Sequence, residues 1–465
     1  MTSGRRNTEL GLLVMVVVIT GAAYVLASFG RDSAMPVNIG PFLAALCALL
    51  LAGNIVTRKL APEADPILFP VAALLNGIGY VMITRLDEDL AGFQALWTAI
   101  GMAAFVGTLA VVRKARDLAN YRYTAMVVGL VLLVLPMIPG LGREVNGSLI
   151  WVRVGPVNFQ PGEFAKVALA LFFAGYLYDK RELLAASTRK LGPLHLPEPK
   201  YLAPLLLAWG ASLVVMITQR DLGSSLLFFA LFVVMVWIAT GQARYLVTGT
   251  LLFAGGAWFA WRTFSHVQDR VTTWIDPWQD PYGAGYQIVQ SAFALAAGGL
   301  GGTGLGQSGK VEFFAAETDF IFVFIAEELG LFGATLILMA YLLMVGSGLR
   351  IASRSDYSFD KLLATGLAAL LGLQAFLIMG GVTRLLPLTG VTLPFVSYGG
   401  SSLVANYVIV ALLLRISDES IRTPAVQRRI ERAKRAQADA ELAAKQAKAD
   451  AKAAKRGRRS SKAPA

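Results

Sequence analysis

The chain is poor in the residues that most often carry metal, redox and proton-relay chemistry. Among its 465 residues there is one cysteine, Cys47, and there are two histidines, His195 and His266. A lone cysteine inside an apolar run excludes a disulfide framework and a Cys/His metal site. Two histidines in separate loops leave no histidine cluster for a metal or a proton relay. Charge is scarce as well: Asp, Glu, Lys and Arg make up 15%, against roughly 25% in soluble globular chains. What is abundant is apolar side chain, at 56% of the sequence with a mean hydropathy of +0.59. This composition excludes a soluble globular enzyme and reads as a polytopic membrane protein.

Segments apolar over enough length to cross a hydrocarbon core of about 30 Å fall near 9–29, 39–57, 66–84, 92–112, 123–141, 163–178, 201–218, 222–240, 245–263, 320–348, 362–383 and 401–416. An all-α transmembrane helical bundle of about twelve spans is therefore expected. The first span follows Arg5 and Arg6 and lacks a small-residue cleavage site, so it is expected to remain as a helix. Lys and Arg set the orientation. With the N-terminus inside, the basic loops at Arg58–Lys59, Arg113–Arg122, Lys180–Lys200, Arg244 and Arg350–Lys361 all face the cytoplasm. Both termini are then cytoplasmic. From Ile421 to Ala465 the tail carries fourteen Lys/Arg against four Asp/Glu, which is +10 of the chain's net +12. Attraction to anionic membrane lipid, and not nucleic-acid binding, is the expected use of such a tail.

The outside receives a loop near 142–162, the Gln219-Arg-Asp221 turn, a long loop at 264–318 and the 384–400 loop. A connection as long as 264–318 is usually functional or disordered. It holds an apolar-periodic run at Tyr286–Ala297, read as an amphipathic helix on the membrane surface. Glycines follow at 298, 299, 301, 302, 304, 306 and 309. They suit a turn-rich segment lying close to backbone or substrate, without the spacing of a phosphate-binding P-loop.

The polar side chains that could carry chemistry gather on this outer side. Asp319 stands where the long loop enters an apolar helix, with Glu327 and Glu328 following inside it. Ionisable groups at such depth cost several kcal/mol on insertion scales and tend to be functional. Glu163 and Lys166 are i,i+3 neighbours, and Arg153, Arg220, Asp221, Arg270, Lys310 and Ser397 lie in the same outer layer. A plain reading stands beside each functional one: an N-cap for Asp319, a helix-orienting ion pair for Glu163–Lys166, an interfacial turn for Arg220–Asp221. One carboxylate amid cations suits a general base that deprotonates a hydroxyl, with the cations stabilising charge on a leaving group. A lipid pyrophosphate leaves without a general acid. Glycosyl transfer from a lipid-linked donor thus needs fewer parts than a two-carboxylate glycosidase. The residues alone also permit a transporter with a titrating aspartate.

Six ordered blocks carry a resemblance. They are Phe159-Gln-Pro-Gly-Glu-Phe-Ala-Lys166, Gln219-Arg-Asp-Leu-Gly-Ser224, Gln268-Asp-Arg-Val271, Asp276-Pro277 with Asp280-Pro-Tyr-Gly-Ala-Gly-Tyr-Gln-Ile-Val-Gln-Ser291, Thr318-Asp-Phe-Ile-Phe-Val-Phe-Ile-Ala-Glu-Glu-Leu-Gly330 and Pro387-Leu-Thr-Gly-Val-Thr-Leu-Pro-Phe-Val-Ser-Tyr-Gly-Gly-Ser-Ser402. Over roughly 66–416 the chain resembles the SEDS family, which includes RodA and FtsW. The resemblance implies a bacterial plasma-membrane protein with two N-terminal helices (1–62), a ten-helix core (63–418) in which the 264–318 loop precedes the tenth span of the whole chain, and a basic cytoplasmic tail (419–465). It implies a peptidoglycan glycosyltransferase that polymerises lipid II into β-1,4-linked glycan and releases undecaprenyl pyrophosphate. Asp319 matches the family's essential acidic residue, as general base or as ligand to a divalent cation such as Mg or Mn. Glu163, Lys166, Asp221 and Arg270 carry over as candidates for cavity structure and pyrophosphate contact. The implied partners are lipid II, a class B penicillin-binding transpeptidase, and the elongation or division machinery.

The chain departs from the family pattern in several places, Arg384 at a position often small among them. Glu317 stands where many relatives carry His, and it could tune Asp319 or share a cation with it. Gly162 replaces a usual Ser. The eleventh span lacks a usual Asn near Leu377–Gly380. The start at Arg5–Glu9 and the Ala61-Pro-Glu-Ala-Asp-Pro66 block resemble RodA-type members of high-G+C Gram-positive bacteria, which points to elongation. An FtsW-like septal polymerase, a lipid II flippase and a scaffold for the transpeptidase are the alternatives.

Overall fold

The computed structural model describes residues 2–36, 38–145, 147–155, 157–185, 189–191, 194–196, 199–308, 315–422 and 437. Lys310 and almost all of the basic tail lie outside them. Fourteen α-helices are present among the described residues: α1 (Thr2–Asp32), α2 (Ile39–Leu60), α3 (Leu68–Leu86), α4 (Leu90–Val111), α5 (Arg122–Val134), α6 (Pro161–Ala185), α7 (Pro199–Thr218), α8 (Leu222–Thr240), α9 (Ala243–Thr263), α10 (Ser265–Ile275), α11 (Tyr286–Gly298), α12 (Ile321–Arg354), α13 (Ser358–Val382) and α14 (Gly400–Arg422). Ten segments are long and apolar enough to cross a membrane: α1 to α4, the run 115–137 through α5, α7, α8, and α12 to α14. The two other expected spans are also helical, α6 over 25 residues and α9 over 21. Polar ends dilute both of them, with Glu163, Lys166 and Asp179–Glu182 in α6 and Arg244 and Arg262 in α9. The chain is a multi-pass membrane protein.

The bundle is organised around α14, which is buried over nearly its whole length against α4, α6 and α13. Its Tyr407 is enclosed, and the phenol oxygen accepts a hydrogen bond from Asn76 Nδ2 of α3 at 3.0 Å. A polar pair deep in an apolar bundle fixes helix rotation, because an unpaired partner there is costly. The helices that face outward, α2, α7 and α9 among them, expose Leu, Val, Phe and Trp along their lengths, as lipid contact requires.

The two ends of the bundle differ in chemistry. At one end the basic connections meet each other. Arg116 Nη1 donates to the Tyr357 hydroxyl at 3.0 Å, Arg181 Nη1 to Ser358 Oγ at 2.6 Å, and Arg415 Nη1 to Leu60 O at 2.7 Å. At the other end sit the long loop and two elements absent from the helical expectation. One is an antiparallel sheet of β1 (Gly142–Val145), β2 (Ser148–Val154) and β3 (Val157–Phe159) in the 142–162 loop. The other is a break in α12 at Gly330, where φ is 66° and ψ −168°. A further short hairpin, β4 (Arg189–Leu191) with β5 (Leu194–Leu196), joins α6 to α7.

Tyr286–Ala297 is helical as expected, and its buried face meets protein. Ile288, Val289 and Ser291 of α11 are enclosed, and α11 packs on α12. Gly298 makes that approach close: a Cβ there would lie 2.3 Å from the Ala326 carbonyl oxygen. The glycine run then crosses the break in α12 and satisfies its freed backbone groups. Thr303 N–H and Gly304 N–H donate to the carbonyls of Glu327 and Glu328 at 2.9 and 3.0 Å, and Leu331 N–H donates to Gly299 O at 2.9 Å.

Candidate active site

Asp319 is presented by a tight turn. The N–H groups of Thr318, Asp319 and Phe320 all point at the Ala315 carbonyl, at 3.3, 3.1 and 3.3 Å. Ala315 holds φ at 62°, a left-handed conformation uncommon for a residue with a Cβ. The loop after α13 clamps the turn: Tyr398 N–H donates to Glu317 O at 2.8 Å and Ser397 Oγ to Thr318 O at 2.5 Å. The N-cap of α12 is Phe320, with no side-chain cap. The carboxylate of Asp319 is therefore not spent on capping the helix it precedes. It faces Gly390, with Oδ2 3.8 Å from the position a Cβ would take there. Gly390 sits at φ 71°, so any side chain at this point would strain the backbone, while a Cβ would meet the carboxylate at ordinary van der Waals distance.

Burial dominates the electrostatics of Asp319. Removal from water raises its pKa to about 6; Arg270 and the Thr318 hydroxyl pull it down, and Glu317 pushes it up. Arg270 comes from α10 and is itself held by the same loop, Nη1 donating to Leu388 O at 2.8 Å. The result is a half-buried carboxylate beside one cation and one acid, ionised at neutral pH yet close to its titration point. That is the protonation behaviour a general base requires.

A second polar cluster lies on the other side of the 387–397 loop. Glu163 and Lys166 form an ion pair at 2.7 Å, with both side chains almost wholly enclosed. Lys166 Nζ also reaches Gln374 Oε1 of α13 at 3.3 Å, and Gln374 Nε2 donates to Thr392 O at 2.9 Å. Asp221 caps α8 by accepting the Ser224 N–H at 2.9 Å. Burial raises its pKa, opposed by the Ser224 hydrogen bonds and by Lys166. Gly223 at the start of α8 presses on Thr389 O. Leu388, Thr389, Gly390 and Thr392 thus meet Arg270, Gly223, Asp319 and Gln374 in turn, so one loop joins the two clusters.

The remaining predicted residues are placed differently. Ser397 is enclosed, and its hydroxyl both donates to Thr318 O and accepts the Leu393 N–H at 2.9 Å, so the protein itself uses it. Arg220 is an exposed turn residue at φ 59°. Its charge helps hold the His266 imidazole pKa below its usual value, after burial and Arg270. Arg153 is exposed on β2, its Nε donating to Gly155 O at 3.2 Å within its own hairpin. Lys310 lies outside the described residues. Glu328 is structural: it pairs with Arg85 at 2.6 Å and accepts from Ser308 Oγ at 2.8 Å and Gly306 N–H at 2.9 Å. Glu327 is buried, and its backbone carbonyl serves the glycine run. Gln374 and Thr392 were missed by sequence reasoning. A lone amide in the middle of the apolar α13 was the available signal.

Residues 67–422 match the cell cycle protein family that groups FtsW, RodA and SpoVE. The peptidoglycan glycosyltransferase RodA of Mycobacterium tuberculosis H37Rv is 46% identical over 424 residues, covering 89% of this chain and 90% of that protein. Stage V sporulation protein E of Bacillus subtilis 168 is 34% identical over 377 residues, 78% of this chain and 98% of that one. Among solved structures, a chain of a peptidoglycan synthase complex that coordinates polymerisation and crosslinking aligns with a TM-score of 0.65 at 27% identity, covering 77% of this chain and 99% of its own. Thermus thermophilus RodA aligns with a TM-score of 0.56 at 25% identity, covering 77% of this chain and 98% of its own. Five of the six sequence blocks meet at the Asp319 turn and the loop around it, and the chain that builds them belongs to the FtsW/RodA/SpoVE family of cell cycle proteins.

Proposed function

We propose that Asp319 is the general base of a peptidoglycan glycosyltransferase of the RodA type, acting on lipid II. The observation that carries this reading is the uncapped, half-buried Asp319 beside Arg270 under Gly390. In the reaction Asp319 takes the proton of the acceptor sugar hydroxyl as that oxygen attacks the anomeric carbon of the lipid-linked donor. The bond from that carbon to the pyrophosphate oxygen breaks, and undecaprenyl pyrophosphate leaves as an anion. Arg270 supplies positive charge for that anion, and Lys166, ion-paired with Glu163, is a candidate for contact with it. A divalent cation, if used, would be held by Asp319 and Glu317 together with pyrophosphate oxygens, the pattern usual for Mg²⁺; it would supply further charge at the leaving group.

The basic end of the bundle is assigned to the cytoplasm by the positive-inside rule, which puts the Asp319 end outside, where lipid II is polymerised. A class B penicillin-binding transpeptidase is the proposed partner, supported by likeness to a synthase that couples polymerisation to crosslinking. The higher identity to RodA than to FtsW relatives supports a role in elongation. The test is polymerisation of lipid II by the purified chain with its transpeptidase, wild type against Asp319→Ala. Glycan from wild type and none from a folded, partner-binding variant is expected. Full activity of Asp319→Ala would overturn the assignment, and lipid translocation without glycan would favour a flippase.

A further inference from the structure

Arg350 and Arg354 lie one turn apart at the last turns of α12, some 30 residues and roughly 45 Å of helix from Asp319. Both line a cavity of about 150 Å³ at the basic end of the bundle. Arg5 of α1, Asp65 from the α2–α3 connection, and Ser417 and Ser420 of α14 complete its polar wall. Three guanidinium groups therefore face one carboxylate. That carboxylate is occupied locally, accepting the Ile67 N–H at 2.9 Å, while the Asp65 N–H donates to Ser417 Oγ at 2.9 Å. Arg5 Nη1 donates to Glu63 O at 3.0 Å. Neither Arg350 nor Arg354 has an ion-pair or side-chain hydrogen-bond partner among the described residues.

The cavity offers roughly ten times the space one ordered water needs, about what a benzene-sized guest fills. Two uncompensated guanidiniums on its wall select an anion, and their planar forks match phosphate oxygens. Ser417 and Ser420 add hydroxyls. In the orientation proposed above the cavity opens at the inner leaflet, where basic pockets between helices meet anionic headgroups.

We propose that this cavity is a binding site for a phosphate group, carried by an anionic phospholipid or present as a free ion. Its occupant ties together the start of α1, the α2–α3 connection and the inner ends of α12 and α14. It thereby fastens the N-terminal helix pair to the helix whose outer end carries Asp319.

The experiment uses the full chain in phosphatidylcholine nanodiscs, titrated in one arm with phosphatidylglycerol and in the other with inorganic phosphate. Lipid retention is read by native mass spectrometry and melting temperature by a thermal shift. Wild type is compared with Arg350→Gln/Arg354→Gln and with Arg113→Gln/Lys114→Gln, an equal loss of exposed charge at the same end but outside the cavity. Phosphatidylglycerol is expected to raise the melting temperature of wild type and the control alike, with about tenfold more lipid needed by the cavity variant. The same arginine-dependent shift with inorganic phosphate alone supports the site with a soluble occupant. A wild type indifferent to both probes, or a shift that persists in the cavity variant, overturns the proposal. The comparison of the two lipids on wild type needs no variant to fold.

Discussion

Ser397 donates its hydroxyl to the carbonyl of Thr318 at 2.5 Å and so ties the residue before Asp319 to the loop after α13. The same oxygen accepts the Leu393 N–H, so one buried hydroxyl serves two backbone segments. Ser397→Ala would leave the Thr318 carbonyl and the Leu393 N–H without that partner, a loss of about 1–3 kcal/mol. Stability should fall by that amount in thermal unfolding. If the bond also positions Asp319, the rate at saturating lipid II should drop about tenfold with little change in KM. A fall in stability alone would limit Ser397 to a structural role.

The burial of Asp319 predicts a pH profile. Its raised pKa means that the rate constant for free enzyme and substrate should climb from pH 5 and level off above pH 7, with a midpoint near 6. The neighbours move that midpoint in opposite directions. Glu317 raises the pKa, so Glu317→Gln should shift the rise to lower pH; Arg270 lowers it, so Arg270→Gln should shift it to higher pH. Asp319→Asn should lose about 10²–10⁴ in rate. The stability effect has the other sign. A carboxyl whose folded pKa lies above its unfolded value stabilises the fold only while protonated. That contribution is complete below about 3.9 and is lost as pH rises through about 6. At pH 7.5 Asp319→Asn should therefore melt no lower than wild type, and higher if the amide keeps its neighbours. Parallel loss of activity and stability would contradict this.

The Glu163–Lys166 pair is enclosed on both sides, with side chains 6% and 2% exposed. Removing one partner leaves a buried charge, which typically costs 3–5 kcal/mol. Glu163→Ala and Lys166→Met should each unfold the protein more readily. Glu163→Gln with Lys166→Met should recover much of the stability, because no lone charge remains. If the pair serves only to orient α6, the double variant should polymerise lipid II normally. A stable but inactive double variant would place Lys166 at the leaving group.

Much of this architecture is legible in the sequence because a span is a local property. Twenty apolar residues announce a helix wherever they stand, and Lys and Arg mark one end of each. The Asp319 turn was legible too, since an acid before an apolar helix is costly without a use. What escaped depends on contacts between distant segments. The three strands of 142–159 are short and, among the described residues, mostly half-buried, with no apolar alternation long enough to declare them. α11 carries an amphipathic pattern that fits a membrane surface or another helix equally well, and its packing on α12, where Gly298 meets Ala326, is not written in its own residues. The role of the 387–397 loop in joining Gly223, Arg270, Asp319 and Gln374 requires knowing which residues it crosses.

The break in α12 turns one of those unseen contacts into a prediction. Gly330 holds φ at 66°, and a Cβ on it would lie 2.4 Å from both Gly302 N and Leu300 O. Gly330→Ala therefore meets conformational strain and a backbone clash together. Each would displace the glycine run from the carbonyls of Glu327 and Glu328, which then lose their partners at a depth where water is scarce. A destabilisation of about 2–4 kcal/mol is expected, within the upper range for special backbone positions. Gly330 lies in the helix that Asp319 precedes, so activity should fall further than the folded fraction does. Polymerisation per folded molecule, measured on material selected by gel filtration, checks this. A variant with wild-type turnover per folded molecule would show that the break stabilises the fold without positioning Asp319.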